Sequence, residues 1–139
     1  TARELSPHAL GFDGFRWHVR AYCHLRNRFQ DFVIARIIDI EAMGTSDVGP
    51  ASDAAWHRKL QLVLTAHPGL SAAAQRAIEV DYGMCDGKVS LECRHAMLFY
   101  TLRNLRLDEP HDAEPRAQQI WLQNRAELEL YINEVTPSA

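Results

Sequence analysis

The stretch Gly14-Phe15-Arg16-Trp17-His18-Val19-Arg20-Ala21-Tyr22-Cys23-His24-Leu25-Arg26 decides how the rest of the chain is read. Phe15, Trp17, Val19 and Ala21 alternate with Arg16, His18, Arg20 and Tyr22. A period of two is the pattern of a half-buried strand. The apolar set is expected to pack a core. The second set is cationic and aromatic, and the run ends in His24 and Arg26. Such groups suit an anionic, planar ligand, a nucleotide or a nucleic-acid strand.

Working outward, Pro7 fits an edge strand ahead of the turn at Asp13-Gly14, and Asn27-Arg28 marks a second tight connection. Phe29–Ala35 alternates loosely. Arg36-Ile37-Ile38-Asp39-Ile40-Glu41-Ala42-Met43 is β-branched and alternates Ile38 and Ile40 against Asp39 and Glu41. Four or five short strands are expected, and hairpins of this size usually curl into a small barrel that leaves no open edge. Residues 45–55 have the composition of a linker. Beyond them the pattern predicts a strand over Trp56–His67, a helix capped by Ser71 and ending near Gly83, and a turn at Asp86-Gly87. A short strand over Val89–Cys93, a helix over Arg94–Leu105, a strand within Ala117–Gln123 and a helix over Arg125–Val135 follow. The second half therefore reads β-α-β-α-β-α, a small α/β unit over residues 56–139.

Composition narrows the function. The chain has 139 residues, 47% of them hydrophobic and 24% charged, with a formal net charge of -3. That is globular, and too acidic for coating DNA by bulk charge. Contact with a polyanion would rest on a local patch, and Arg3, Arg16, Arg20, Arg26, Arg28 and Arg36 supply one. No run approaches the roughly 18 apolar residues of a membrane span. Three cysteines, Cys23, Cys85 and Cys93, show no paired-ligand spacing, so free buried thiols and a reducing cytoplasm are expected. None of the common catalytic or phosphate-loop motifs is present, and the seven histidines lack a nucleophile or carboxylate at a fixed spacing. Cys23 and His24 are adjacent and point to opposite faces of a strand. Neither an enzyme, with His24 or His18 as general acid–base, nor a metal site is favoured, and no cofactor is implied.

Four segments together resemble a bacterial WYL domain: Pro7-His8-Ala9-Leu10, Trp17-His18-Val19, Tyr22-Cys23-His24-Leu25-Arg26, and Phe29-Gln30-Asp31-Phe32-Val33-Ile34-Ala35-Arg36-Ile37. Trp17-His18-Val19 stands where the family has its Trp-Tyr-Leu triplet. His8 and His18 stand where tyrosine is common, and Gln30 where arginine is common. With Ala-Ile-Glu-Val-Asp-Tyr-Gly-Met at 77–84, the chain is similar to a subgroup of WYL repressors encoded beside anti-phage defence systems of the BREX and CBASS kinds. The resemblance implies an Sm-like or SH3-like barrel over residues 1–44, a ligand-sensing unit, followed by an α/β dimerisation domain over 56–139. It implies a homodimer, and operator DNA read by an N-terminal winged helix. Nothing in these residues looks like a recognition helix, and the chain begins at Thr1, so it is expected to be the regulatory part of a longer repressor. Tyr22, His24, Arg26, Arg36, His8 and His18 are the ligand-binding residues the resemblance implies, the ligand being a nucleotide or single-stranded nucleic acid. The alternative is an Sm-like module that binds RNA, single-stranded DNA or a protein without sensing a small ligand.

Overall fold

The computed structural model describes residues 1–108 and 114–134. His111, Pro110 and the helix end expected at Val135 lie outside them. The first half is an antiparallel meander of β1 (Leu5–Phe12), β2 (Trp17–Cys23) and β3 (Arg28–Val33), in the order β1-β2-β3. Both expected turns form. Gly14 takes a φ of 95° and Asn27 a φ of 54°, the left-handed geometry that tight reversals need. One residue of β1 is a bulge: Pro7 pairs with Ala21 and Ala9 with Arg20, so His8 is the extra residue and its side chain is re-aimed.

The expected fourth strand does not form. After a short 3-10 turn at Ile34–Arg36, Ile37–Met43 runs without strand pairing, and Ile38 is fully exposed. Its alternation suits a strand, but no described sheet edge receives it. The first sheet is therefore open, and no barrel closes among the described residues.

The cationic face of β2 is covered as well as the apolar one, where Ala21 is fully buried as expected. His18 is 1% exposed and Arg20 is buried, whereas Trp17 on the apolar face is 54% exposed beside Phe12. Alternation shows that the two faces differ, and it does not say which one is covered. A cationic face can turn inward only where distant residues bring compensating carboxylates.

The second half follows the expected order. After α1 (Ala54–His57) come β4 (Lys59–Ala66), α2 (Ala72–Asp81), β5 (Lys88–Arg94), α3 (Leu98–Asn104), β6 (Ile120–Leu122) and α4 (Arg125–Glu134). The start of the expected Trp56 strand is helical because Asp53 caps that turn, its carboxylate accepting from the Trp56 amide. The helix expected from Arg94 begins later, after a 3-10 turn at His95–Met97. The sheet is antiparallel with β4 central, in the order β5-β4-β6. Leu60, Leu62 and Leu64 of β4 point into a core shared with Ile78, Leu98, Leu102 and Leu122. Ser71 caps α2 by accepting from the Ala74 amide. Asp86 and Gly87 both take positive φ in the turn before β5, as a two-residue hairpin requires. All three cysteines are free; Cys23 is buried, but Cys85 is exposed on that hairpin, which departs from the expectation of three buried thiols.

Candidate functional site

The inward face of β2 meets the second half of the chain through a network of buried polar groups. Arg20 lies at its centre. Its Nε donates to Asp53 Oδ2 at 2.7 Å and its Nη2 to Asp53 Oδ1 at 2.9 Å, a two-pronged contact. Its Nη1 donates to Asp31 Oδ1 at 3.3 Å, on the neighbouring strand. The bulged His8 turns its Nε2 to Asp53 Oδ2 at 2.9 Å. Tyr100, from α3, donates its hydroxyl to Asp31 Oδ2 at 2.8 Å. Residues 45–55, expected as a linker, thus carry a side chain that is 1% exposed and bound to the heart of the first sheet.

Electrostatics follow from burial and partners. Burial pushes the Asp53 carboxyl up, but the hydrogen bonds from Arg20 and His8 outweigh it and hold the group below the usual carboxylate range. Burial works against the Arg20 charge, and Asp53 with Asp31 more than restores it. A second node sits at the β1–β2 turn. Asp13 accepts from the backbone amides of Phe15 and Arg16, from Arg16 Nε at 3.2 Å and from His18 Nε2 at 2.7 Å. Burial opposes its charge, yet these donors, His18 first, keep the carboxyl far below its usual range.

The residues implied as ligand-binding separate into three groups. His24 and Tyr22 are brought together in a half-buried aromatic run that reaches His8, whose own side chain is only 7% exposed against Asp53. His24 lies 5.0 Å from Tyr22, Tyr22 lies 5.2 Å from Phe29, and Phe29 lies 5.6 Å from His8, ring centre to ring centre. The run continues to Trp56 at 5.8 Å from His8, and the Arg94 guanidinium lies 4.6 Å over Trp56. His24 is held by Ser6, 2.7 Å from its Nε2, and Ser6 donates on to Ser46. His18 is a correction. Enclosed by Asp13 and the Tyr100 ring, at 4.8 Å, it has no surface to offer a ligand. Arg26 and Arg36 are both exposed but stand at opposite ends of β3, one in the turn before it and one after it. A six-residue strand is about 20 Å long, so the two cannot grip one phosphate.

Sequence reasoning missed Asp53, Asp31, Tyr100, Phe29 and Arg94. Asp53 did leave a signal. Ser52-Asp53 ahead of Ala54-Ala55 is a helix-start composition, and a buried cap can serve a second partner. Arg20 facing Asp31 needs the β2–β3 register, which the turn at Asn27 sets. Tyr100, 69 residues from Asp31, left none.

Comparison with known proteins agrees with this two-part build. Residues 59–128 match the family described as BrxR transcriptional regulator, C-terminal dimerization domain, and residues 1–42 match the WYL domain. A DNA-binding transcriptional repressor CapW of Stenotrophomonas maltophilia is 45% identical over 132 residues, 94% of this chain and 44% of the relative. The protein of the same description from Pseudomonas aeruginosa is 46% identical over 127 residues, 91% of this chain and 42% of the relative. One from Escherichia coli is 42% identical over 127 residues. The chain thus spans less than half the length of these curated relatives. With a family match over half its length, joined to a WYL domain, the chain belongs to the BrxR family of transcriptional regulators.

Proposed function

We propose that this chain is the effector-sensing and dimerisation part of a bacterial transcriptional repressor. The WYL half binds a nucleotide or a nucleic-acid strand. The second half joins two copies, and operator DNA is gripped by a winged helix beyond these residues. The similarity to CapW repressors supports the class. The three-stranded sheet is then part of the family's Sm-like or SH3-like barrel, in keeping with the apolar outer face of Leu10, Phe12 and Trp17.

The observation that carries the reading is the Arg20–Asp53 contact. A ligand changes an equilibrium only by binding two arrangements differently. Arg20 belongs to the strand that displays Tyr22, and Asp53 caps the helix leading into β4. Any shift of β2 on ligand binding therefore acts directly on the dimerisation half. The ligand face is Tyr22 and His24, extended by His8, Phe29 and Trp56, with Arg94 over Trp56 at the far end, Arg26 in the turn before β3 and Arg36 after that strand. Rings in sequence with cations at the ends suit stacked bases and backbone phosphates. The same aromatic run favours a second reading, a module for single-stranded nucleic acid without small-ligand sensing.

The test is induction of the full-length repressor on a reporter operator. Arg26→Ala with Tyr22→Ala is expected to keep repression and lose induction. Normal induction in that variant would remove the assignment. Titrating short oligonucleotides at two salt concentrations separates the two readings. A steep salt slope indicates strand recognition, and tight mononucleotide binding indicates a sensor.

A further inference from the structure

The geometry points to a second binding site, for a phosphorylated nucleoside, in the cavity between the β1–β2 turn and α3. This cavity, of about 400 Å³, is lined by Asp13, Phe15, Arg16, Tyr100, Arg103 and Asn104. Its size falls in the range of small-ligand pockets, roughly 300–1,000 Å³. It lies away from the Tyr22–His24 face and does not use the residues of that face.

Two guanidinium groups address the cavity. Arg16 commits only its Nε to Asp13, which leaves its terminal nitrogens for a ligand. Arg103, in the last turn of α3, is exposed, and its guanidinium makes no hydrogen bond or ion pair among the described residues. Together they can hold a phosphate from two sides, the geometry to which the planar guanidinium is suited. The one carboxylate in the wall does not cancel them. Asp13 accepts from His18 and two backbone amides as well as from Arg16, so it draws only part of the Arg16 charge and none from Arg103.

The mouth of the cavity is built to hold an aromatic ring. Phe15 is 92% exposed, although its turn is closed by hydrogen bonds between Asp13 and Arg16. Its own amide donates to Asp13 Oδ1 at 2.8 Å, and Asn104 Nδ2 donates to the Asp13 carbonyl at 2.7 Å, fastening the turn to α3. Gly14, at φ 95°, lets that amide approach; a Cβ there would come within 2.8 Å of Asn104 Nδ2. The phenyl ring is thus displayed to water by a rigid turn beside two arginines. A nucleobase stacked on Phe15, with its phosphate between Arg16 and Arg103, satisfies both features. The buried wall of the cavity is Tyr100, whose hydroxyl binds Asp31, the partner of Arg20. Ligand there bears on the same buried network that joins the two halves.

Calorimetric titration of the whole chain with adenosine 5′-monophosphate and with inorganic phosphate tests the site. Arg103→Ala, Arg16→Ala and Phe15→Ala are compared with wild type and with Arg26→Ala/Arg36→Ala. Saturable nucleotide binding is expected, weakened about tenfold by Arg103→Ala, as loss of a charge-assisted contact implies. Phe15→Ala is expected to weaken the nucleotide and leave phosphate unchanged. The Arg26/Arg36 variant alters the other proposed nucleotide face, and it is expected to keep the binding component that Arg103→Ala loses. Phe15 and Arg103 are exposed, so thermal melts should match wild type. No saturable nucleotide binding by wild type, full affinity in Arg103→Ala, or loss confined to the Arg26/Arg36 variant would each overturn the site.

Discussion

The two halves of the molecule are held by opposite means. The core around β4 is aliphatic: Leu62, Leu98 and Leu122 are entirely buried and carry no polar atom on their side chains. The interior where the first sheet meets α1 and α3 is ionic, built from Arg20, Asp53, Asp31, Asp13, His8 and His18. Apolar burial stabilises without regard to pH and tolerates small shifts. A buried ion pair requires an accurate fit, and removing one partner strands the other in a poor solvent. The second half therefore has the character of a fixed platform. The interior against it has the character of a joint that either fits or releases, as the proposed sensing role requires.

Five substitutions bear on that contrast. Asp53→Ala leaves the Arg20 guanidinium, His8 and the α1 cap without their acceptor, and it is expected to cost about 3–5 kcal/mol in chemical unfolding. Leu62→Ala opens a cavity in the aliphatic core and is expected to cost about 3 kcal/mol by the same measurement. What distinguishes the two is acid. Asp13 and Asp53 are both held below the ordinary carboxyl value of 3.8 in the folded chain. The stability they contribute is complete above that value and is lost as pH falls through their folded values. The Leu62→Ala penalty should accordingly be the same at neutral pH and at pH 3, while wild type itself weakens on acidification. Asp53→Asn should flatten that weakening, and an undiminished acid slope would show that other groups control it. Tyr100→Phe removes a single bond to Asp31 and is expected to cost about 1–2 kcal/mol. Ser71→Ala, which removes the α2 cap well away from the joint, should cost about 1 kcal/mol or less and leave the acid slope unchanged. If Ser71→Ala proved as costly as Tyr100→Phe, the joint would hold no special share of the stability.

How far the sequence could be read follows the same division. The second half was legible because its signals are local. Ser71 before three alanines, Gly83 at φ 62° and Asp86-Gly87 each set a boundary within a few residues. The strand at 17–23 was legible as a strand, but its faces were not. Their assignment depends on Asp53 and Tyr100, 33 residues from Arg20 and 69 residues from Asp31 respectively. Ile37–Met43 carries a strand pattern but no partner among the described residues, and pattern alone cannot supply one. The aromatic half of the proposed ligand face was partly legible, because Tyr22 and His24 share a spacing of two, while His8 required a bulge to reach Asp53. His18 had the same alternation as Arg20 and was enclosed for the same reason.

The Arg20–Asp53 pair is proposed to couple the first sheet to the dimerisation half. Native-state hydrogen exchange on wild type and Asp53→Ala measures this most directly. The account predicts that amides of β1, β2 and β3 lose protection in the variant while those of β4 retain theirs. Equal loss in both sheets, or none in the first, would contradict it.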